Sequence, residues 1–333
     1  MLNMIKMDVY RMFHTKSLYV IWIILLASSL FTSFLAKIDY DAVNKEWEEQ
    51  QEQAVQTDVS KEENVQAGQT GIEEITGQEN LAANKEQSGD MVSTEELSAQ
   101  KENGNIGEKE NDNINLGMTV TMPTEPGKPV TVFDVFFSNA QGRFYALFLI
   151  IFAVMFSTAD IKSGYIKNIG GQVPRRGVLV VSKAVALALF TVITLAGIFL
   201  FQAAANMVVF KSVVWGDWKV IIPYFLTQLV LNYAFVLICV AMAVIIKNNV
   251  VSMTLSVCLT MNMMSIIYDL ISYAIYKIGI HNFDIYKYTI TGKMTMLPMN
   301  VSTNDVVSSM CVAAAFIVIM LSLSSYIFQK RDI

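Results

Sequence analysis

Charge is scarce in this chain. Asp, Glu, Lys and Arg make up 16% of its 333 residues, against 53% hydrophobic. A soluble domain carries about a quarter charged residues, so an ordinary soluble fold is excluded. Histidine is scarcer still: His14 and His281 are the only two and lie far apart, which argues against a histidine-based metal site. The three cysteines, Cys239, Cys258 and Cys311, all fall inside apolar blocks. With no thiol pair in a loop, neither a disulfide framework nor a thiolate metal cluster is available. A phosphate-binding loop is missing as well. The pairs Gly127–Lys128 and Gly292–Lys293 lack both the upstream glycine and the downstream Ser or Thr that such a loop needs. The chain is therefore expected to be no enzyme and to bind no cofactor itself. If its work is driven by ATP, another polypeptide hydrolyses it. Nothing in the pattern calls for a nucleic-acid partner.

What is present is apolar sequence in blocks. A helix crosses a bilayer in about 20 residues. Six blocks approach or exceed that length, at about 18–35, 144–156, 184–210, 221–246, 250–273 and 306–328. The second is short, and spans only by borrowing from 138–143 or by running past Ser157. The first follows a basic start (Lys6, Arg11, Lys16). Its apolar core exceeds the ~7–15 residues of a signal peptide, and bulky Phe34 sits where a small residue is wanted before a cut, which predicts a retained helix. The expected fold is an all-α integral membrane protein with six transmembrane helices.

Lys and Arg near span ends favour the cytoplasm. With both termini inside, the inner segments hold Lys6, Arg11, Lys16, Lys162, Lys167, Arg175, Arg176, Lys183, Lys247, Lys330 and Arg331. The short outer loops hold Lys211, Lys219, Lys277, Lys287 and Lys293. Residues 37–143 then form a long extracytoplasmic loop. Its stretch "NKEWEEQQEQAVQTDVSKEENVQAGQ" is rich in Glu and Gln and poor in aromatics. Such a segment buries too little apolar surface to offset its ordering entropy, so most of the loop is expected to be disordered. It accounts for the net charge of −5, while the membrane part is net basic. Near its end, "MTVTM" and "VTVF" flank "PTEPGKP", a pattern that predicts a small hairpin. "VFDVFFSNAQGRF" follows, with the aromatic content of an interfacial segment. At the N-terminus, Leu2, Ile5, Val9, Met12 and Phe13 share one helical face. That predicts a helix lying in the inner interface, or a plain extension of the first span. The expected organisation is thus residues 1–36 as this helix plus the first span, 37–143 as the acidic loop, and 144–333 as spans two to six with an inner loop at 158–183.

That inner loop reads "DIKSGYIKNIGGQVPRRGVLVVSKA" from Asp160. A basic connector that sets topology is one reading. Its length, the helical texture of "DIKSGYIKNI" and the break at "GGQVP" are more than such a connector needs. The chain here resembles the permease subunits of bacterial type-2 ATP-binding-cassette exporters, in the branch linked to bacteriocin immunity and bacitracin-type resistance. The resemblance rests on "IKMDVYRMFHTKSLYV" at the start, and on Asp160 followed by "GYIKNI", "PRRG" and "SKA". It rests also on the six-span layout and on "FDIYKYTITGKMTML" before the last span. It covers the membrane part only; the acidic insertion departs from the family. The resemblance implies an export subunit of the bacterial plasma membrane. Its implied partners are a separate ATPase subunit, which supplies ATP hydrolysis, and a second permease subunit. The first inner loop would dock on the ATPase, with the contact on Asp160, Gly164, Lys167, Asn168, Arg175, Arg176 and Lys183. The substrate class implied is an amphiphilic compound or peptide antibiotic. A membrane-anchored sensor, whose acidic outer loop captures a cationic ligand, is the alternative. A secondary transporter fits less well, because the spans hold few ionisable residues and no evident repeat.

Polar residues within spans are costly and often functional. Gln202, Gln228, Asn232, Asn262 and Asp269 are of this kind, and Ser252, Ser256 and Thr260 form a small-polar stripe. A substrate path would draw on Gln228, Asn232, Ser256, Thr260 and Asn262. Close helix packing is the other reading of the stripe. Asp269 reads as an interfacial acid rather than a proton relay. Met261, Met263 and Met264 read as apolar filler or as an adaptable surface.

Overall fold

The computed structural model describes residues 2–69, 123–162, 177–246, 248–278 and 285–330. Among these residues every regular element is a helix. The chain forms two compact units, one of residues 1–45 with 115–333, the other of residues 46–114.

The first unit begins with α1 (Leu2–His14), which ends at Thr15, and α2 (Lys16–Gln69). Further along, the chain turns at Glu125–Lys128. Pro126 takes the position that wants its fixed φ, Gly127 has φ +81°, and the Lys128 amide donates to the Glu125 carbonyl (3.1 Å). This is a type II turn. Then come α3 (Val132–Gln141), α4 (Phe144–Lys162), α5 (Gly177–Val209), α6 (Trp218–Ile246), α7 (Asn249–Thr260) and α8 (Ser265–Lys277). A 3-10 turn (Ile285–Tyr288) leads into the short α9 (Ile290–Met296), and α10 (Thr303–Gln329) closes the described chain.

Four helices are each long and apolar enough to cross a membrane: α2, α5, α6 and α10. Two bent pairs meet the same test, α3 with α4 at 58° and α7 with α8 at 65°. Counting each pair as one span gives the six blocks of the sequence; counting unbroken helices gives four. Each break has a local cause. Arg143 (φ 57°) stands between α3 and α4, and Asn262 (φ 58°) between α7 and α8. One left-handed residue ends the run of helical dihedrals, and asparagine tolerates it better than most.

Three expectations need correction. Helix α2 does not stop near Ala36 but continues through Gln69. Low aromatic content prevents a core, yet Glu, Gln, Ala and Lys are all good helix formers. The remainder of the acidic loop, 70–122, lies outside the described residues. The predicted hairpin is not formed by its second arm, because Val132 and Phe133 open α3. Thr131 and Asp134 make a reciprocal capping box there. The Asp134 amide donates to Thr131 Oγ1 (3.0 Å), and the Thr131 amide donates to Asp134 Oδ2 (2.9 Å). That box outweighs the β propensity of "VTVF". The first arm, 118–122, is not described. Lastly, "VFDVFFSNA" is not a surface-lying interfacial segment: every residue from Val132 to Ala140 is buried.

The core is aromatic where α3, α4, α5 and α6 meet. Phe136 has Phe199 at 5.1 Å, Tyr145 at 5.3 Å and Phe225 at 5.8 Å between ring centres. A second cluster gathers Ile150, Val154, Phe235, Cys239, Met294 and Ala313.

Candidate functional site

The ends of α4 and α5 bracket the segment expected to couple. Helix α4 runs to Lys162 and α5 starts at Gly177, so 158–162 and 177–183 of that segment are helical. Gly164, Lys167, Asn168, Arg175 and Arg176 lie in it, outside the described residues. Asp160 is within α4, and its side chain is likewise not described.

Lys183 is a full turn and more inside α5, half-buried. Its Nζ donates to the Ser157 carbonyl of α4 (3.1 Å) and stands 5.8 Å from the centre of the Phe156 ring. One residue earlier, Ser182 Oγ donates to Asp8 Oδ2 of α1, and both residues are buried. Arg11 Nη1 approaches the other carboxylate oxygen of Asp8 at 3.7 Å. A buried carboxylate is tolerable only when paired and hydrogen-bonded, and here it is both. Around it Met12 is buried, and Met4, Val9 and Phe13 pack on the core, while Leu2 is exposed. Helix α1 is therefore not simply an amphipathic helix with its apolar face to lipid. It is docked on α5, with an acid at the centre of the dock. Helical periodicity marks the apolar face of α1 but cannot see a serine 174 residues away from Asp8.

Deeper in the bundle, α2 and α5 share a polar ladder. Trp22 Nε1 donates to Thr194 Oγ1 (3.1 Å), and Ser29 Oγ donates to Gln202 Oε1 (3.1 Å). Gln202 Nε2 donates to Ser33 Oγ (2.8 Å) and to Asn206 Oδ1 (3.1 Å). Hydrogen bonds of this sort hold helices together in lipid. Beside the ladder lies an apolar cavity of about 220 Å³, lined by Leu25, Leu26, Ile193, Gly197, Ile198 and Phe201 among others.

The residues proposed for a substrate path separate into two groups. Gln228 and Asn232 are buried on α6. Gln228 Nε2 donates to Tyr224 Oη and to the Met294 carbonyl, both at 3.1 Å, and Asn232 Nδ2 donates to the Gln228 carbonyl (2.8 Å). Gln141 Nε2 of α3 donates to the adjacent Thr295 carbonyl (3.2 Å). Two side-chain amides thus satisfy the last carbonyls of α9 and fix that short helix in the protein. Ser252, Ser256 and Thr260 are the buried residues of α7, which packs on α4 and α6. Thr158 Oγ1 of α4 donates to Asn249 Oδ1 (2.8 Å) on the same seam. This is the geometry of close helix packing. Asn262 is the left-handed residue of the α7–α8 break, with Met263 exposed beside it. Asp269 is exposed and accepts from Tyr286 Oη (3.3 Å). Burial, then the Asp269 carboxylate, raises the Tyr286 phenol above its ordinary range, so it remains a donor at neutral pH.

Sequence reasoning passed over Arg143, which is 2% exposed. Its signal was available: a lone cation between "VFFSNAQ" and "FYALFLIIF". Gly292 was noticed only as part of a failed phosphate-loop match. A Cβ there would lie 2.1 Å from the Tyr286 carbonyl oxygen, so only glycine lets α9 fold back on the 3-10 turn.

The described residues define a helical protein whose four to six longest apolar segments suit a membrane. No group of His, Cys, Asp or Glu among them could hold a metal ion. No family model matches the chain, and no curated protein matches it.

Proposed function

We propose that this chain is the transmembrane permease subunit of an ATP-binding-cassette exporter, moving an amphiphilic compound or peptide antibiotic out of a bacterial plasma membrane. A separate subunit hydrolyses the ATP, and a second permease subunit completes the transporter. The observation that carries the reading is the frame around segment 163–176. Lys183 ties the start of α5 to the end of α4, and Asp8 with Ser182 ties α1 to the same place. Helices tied together in this way would share a push delivered on the segment that joins them. The basic residues Lys167, Arg175 and Arg176 suit an acidic groove on a partner. Gln228, Asn232, Ser256 and Thr260 would line a path only after α4, α6 and α7 part.

The test is charge reversal, Arg175→Glu with Arg176→Glu, read on one preparation for insertion, for co-purification with the ATP-hydrolysing subunit and for transport. The expected result is a correctly inserted protein that has lost the ATPase and at least tenfold of its transport. Full transport by the reversed protein would make the segment a plain connector. Ligand capture by residues 37–143 with no dependence on ATP would favour the sensor.

A further inference from the structure

We propose that the α7–α8 elbow is a binding site for the phosphate headgroup of a lipid-like amphiphile, with Arg143 as the anion partner and the exposed apolar face of α8 as the bed for its tail. The proposal stands whether or not the chain exports anything.

Four observations meet at this place. The first is the state of Arg143. It is buried, yet it forms no ion pair with a described carboxylate, and its Nε has no hydrogen-bond partner among the described residues. Its one recorded contact, Nη1 to the Leu259 carbonyl, is 3.5 Å, at the outer limit for a hydrogen bond. A residue present only to cap α7 would aim more of its N–H groups at the carbonyls. A buried cation without a counter-ion is expensive and calls for an anion. The second is backbone strain. Arg143 has φ 57°, a conformation that a bulky residue rarely adopts, although Gly142 stands next to it. Strain of this kind collects at functional sites.

The third observation is the N-terminus of α8. Met264 supplies no side-chain cap to this 13-residue helix, and the Ser265 amide donates to the Asn262 carbonyl (2.9 Å). Two phenols lie at this corner. Tyr268 and Tyr286 stand edge to face at 5.4 Å, and Tyr286 Oη shares its one proton between the Asp269 carboxylate (3.3 Å) and the Ser265 carbonyl (3.5 Å). Among the described residues the acid at this corner is Asp269. Tyr286 holds it by a hydrogen bond on the exposed side, which damps its repulsion of an incoming anion. The fourth is α8 itself. None of its residues is buried, and Ile266, Ile267, Leu270 and Ile271 are all exposed. A helix so weakly packed moves at little cost. Its apolar face also fixes the ligand class: a free phosphate uses the cation alone, an amphiphile uses both.

The full chain, purified in a neutral detergent, should bind dioctanoyl phosphatidic acid at least tenfold more tightly than dioctanoylglycerol, which has the tails and no phosphate. Inorganic phosphate, which has no tail, should bind more weakly again. Arg143→Gln should cost at least tenfold in affinity for the phosphatidic acid, and Arg143→Lys less. Equal affinity for the two lipids, unchanged binding by folded Arg143→Gln, or inorganic phosphate binding as tightly as the lipid would each overturn the site. If Arg143→Gln does not fold, Ile266→Gln with Leu270→Gln decides, since both positions are exposed. A several-fold loss of phosphatidic acid binding supports the proposal, and no loss overturns it.

Discussion

Helices α6 and α10 are similarly apolar and pack against each other, yet the protein treats them in opposite ways. Helix α6 is an interior element. It buries Tyr224, Leu231, Ala234, Val236 and Leu237, which lie on more than one face, and touches α4, α5, α7, α9 and α10. Helix α10 buries only Ser309, Ala313, Ser324 and Phe328, and leaves Val307, Val318 and Ile319 exposed. In water such exposure would be penalised. In lipid, the surroundings are as apolar as the side chains, so the only positions under pressure are those where helices touch. On α10 these are mostly small, because a short side chain lets two backbones approach.

Substitutions sort this contrast by size. The largest loss is expected where α9, held by α6, folds back on the 3-10 turn. Gly292→Val forces side-chain atoms onto the Tyr286 backbone, which cannot yield as a flexible side chain would. A loss of about 3 kcal/mol or more is expected, seen as a protein that fails to fold or melts far lower in detergent. Wild-type melting of this variant would remove the close approach. Next is the α10 seam. Ala313→Leu overpacks a fully buried position in the second core cluster, and about 1–3 kcal/mol should be lost. Gln228→Leu should follow at about 1–3 kcal/mol, because it leaves the Met294 carbonyl without its donor. Hydrogen exchange at α9 would show whether the loss is local. A smaller effect, about 1 kcal/mol, is expected for Ser182→Ala, which removes the donor to Asp8. Faster proteolysis after Lys6 or Arg11 would report the undocking of α1. Least of all, Val318→Leu should stay within about 0.5 kcal/mol on the melting curve. A large effect there would mean that the exposed face of α10 is covered by a partner.

The membrane blocks were legible because length and apolarity are summed over many residues, and small errors at each end do not matter. The breaks inside them were not. "GRF" and "MNMM" carry the left-handed residues, but a single arginine or asparagine in an apolar run does not announce its φ. The α3 start was readable in "TVFD", as a threonine with an acid three residues later. It was masked by the alternating β-prone pattern of the same residues. Among the candidate site residues, the geometry of Gln228 and Asn232 depends on α9, whose insertion rests on Gly292 and on Gln141, remote in sequence.

By itself the sequence determined that this is a helical chain with apolar segments of membrane length, because hydropathy and helix propensity are properties of residues and their near neighbours. It also carried the capping box, the Pro-Gly turn and the basic ends of the spans, all of which act over a few residues. Only the tertiary structure decided which apolar faces meet protein, where the two spans bend, and which polar groups find partners. Those outcomes depend on distances between residues far apart in the chain, such as Asp8 with Ser182 and Gln228 with Met294. Within a bilayer hydropathy cannot distinguish them, since lipid and protein interior are solvents of nearly equal polarity.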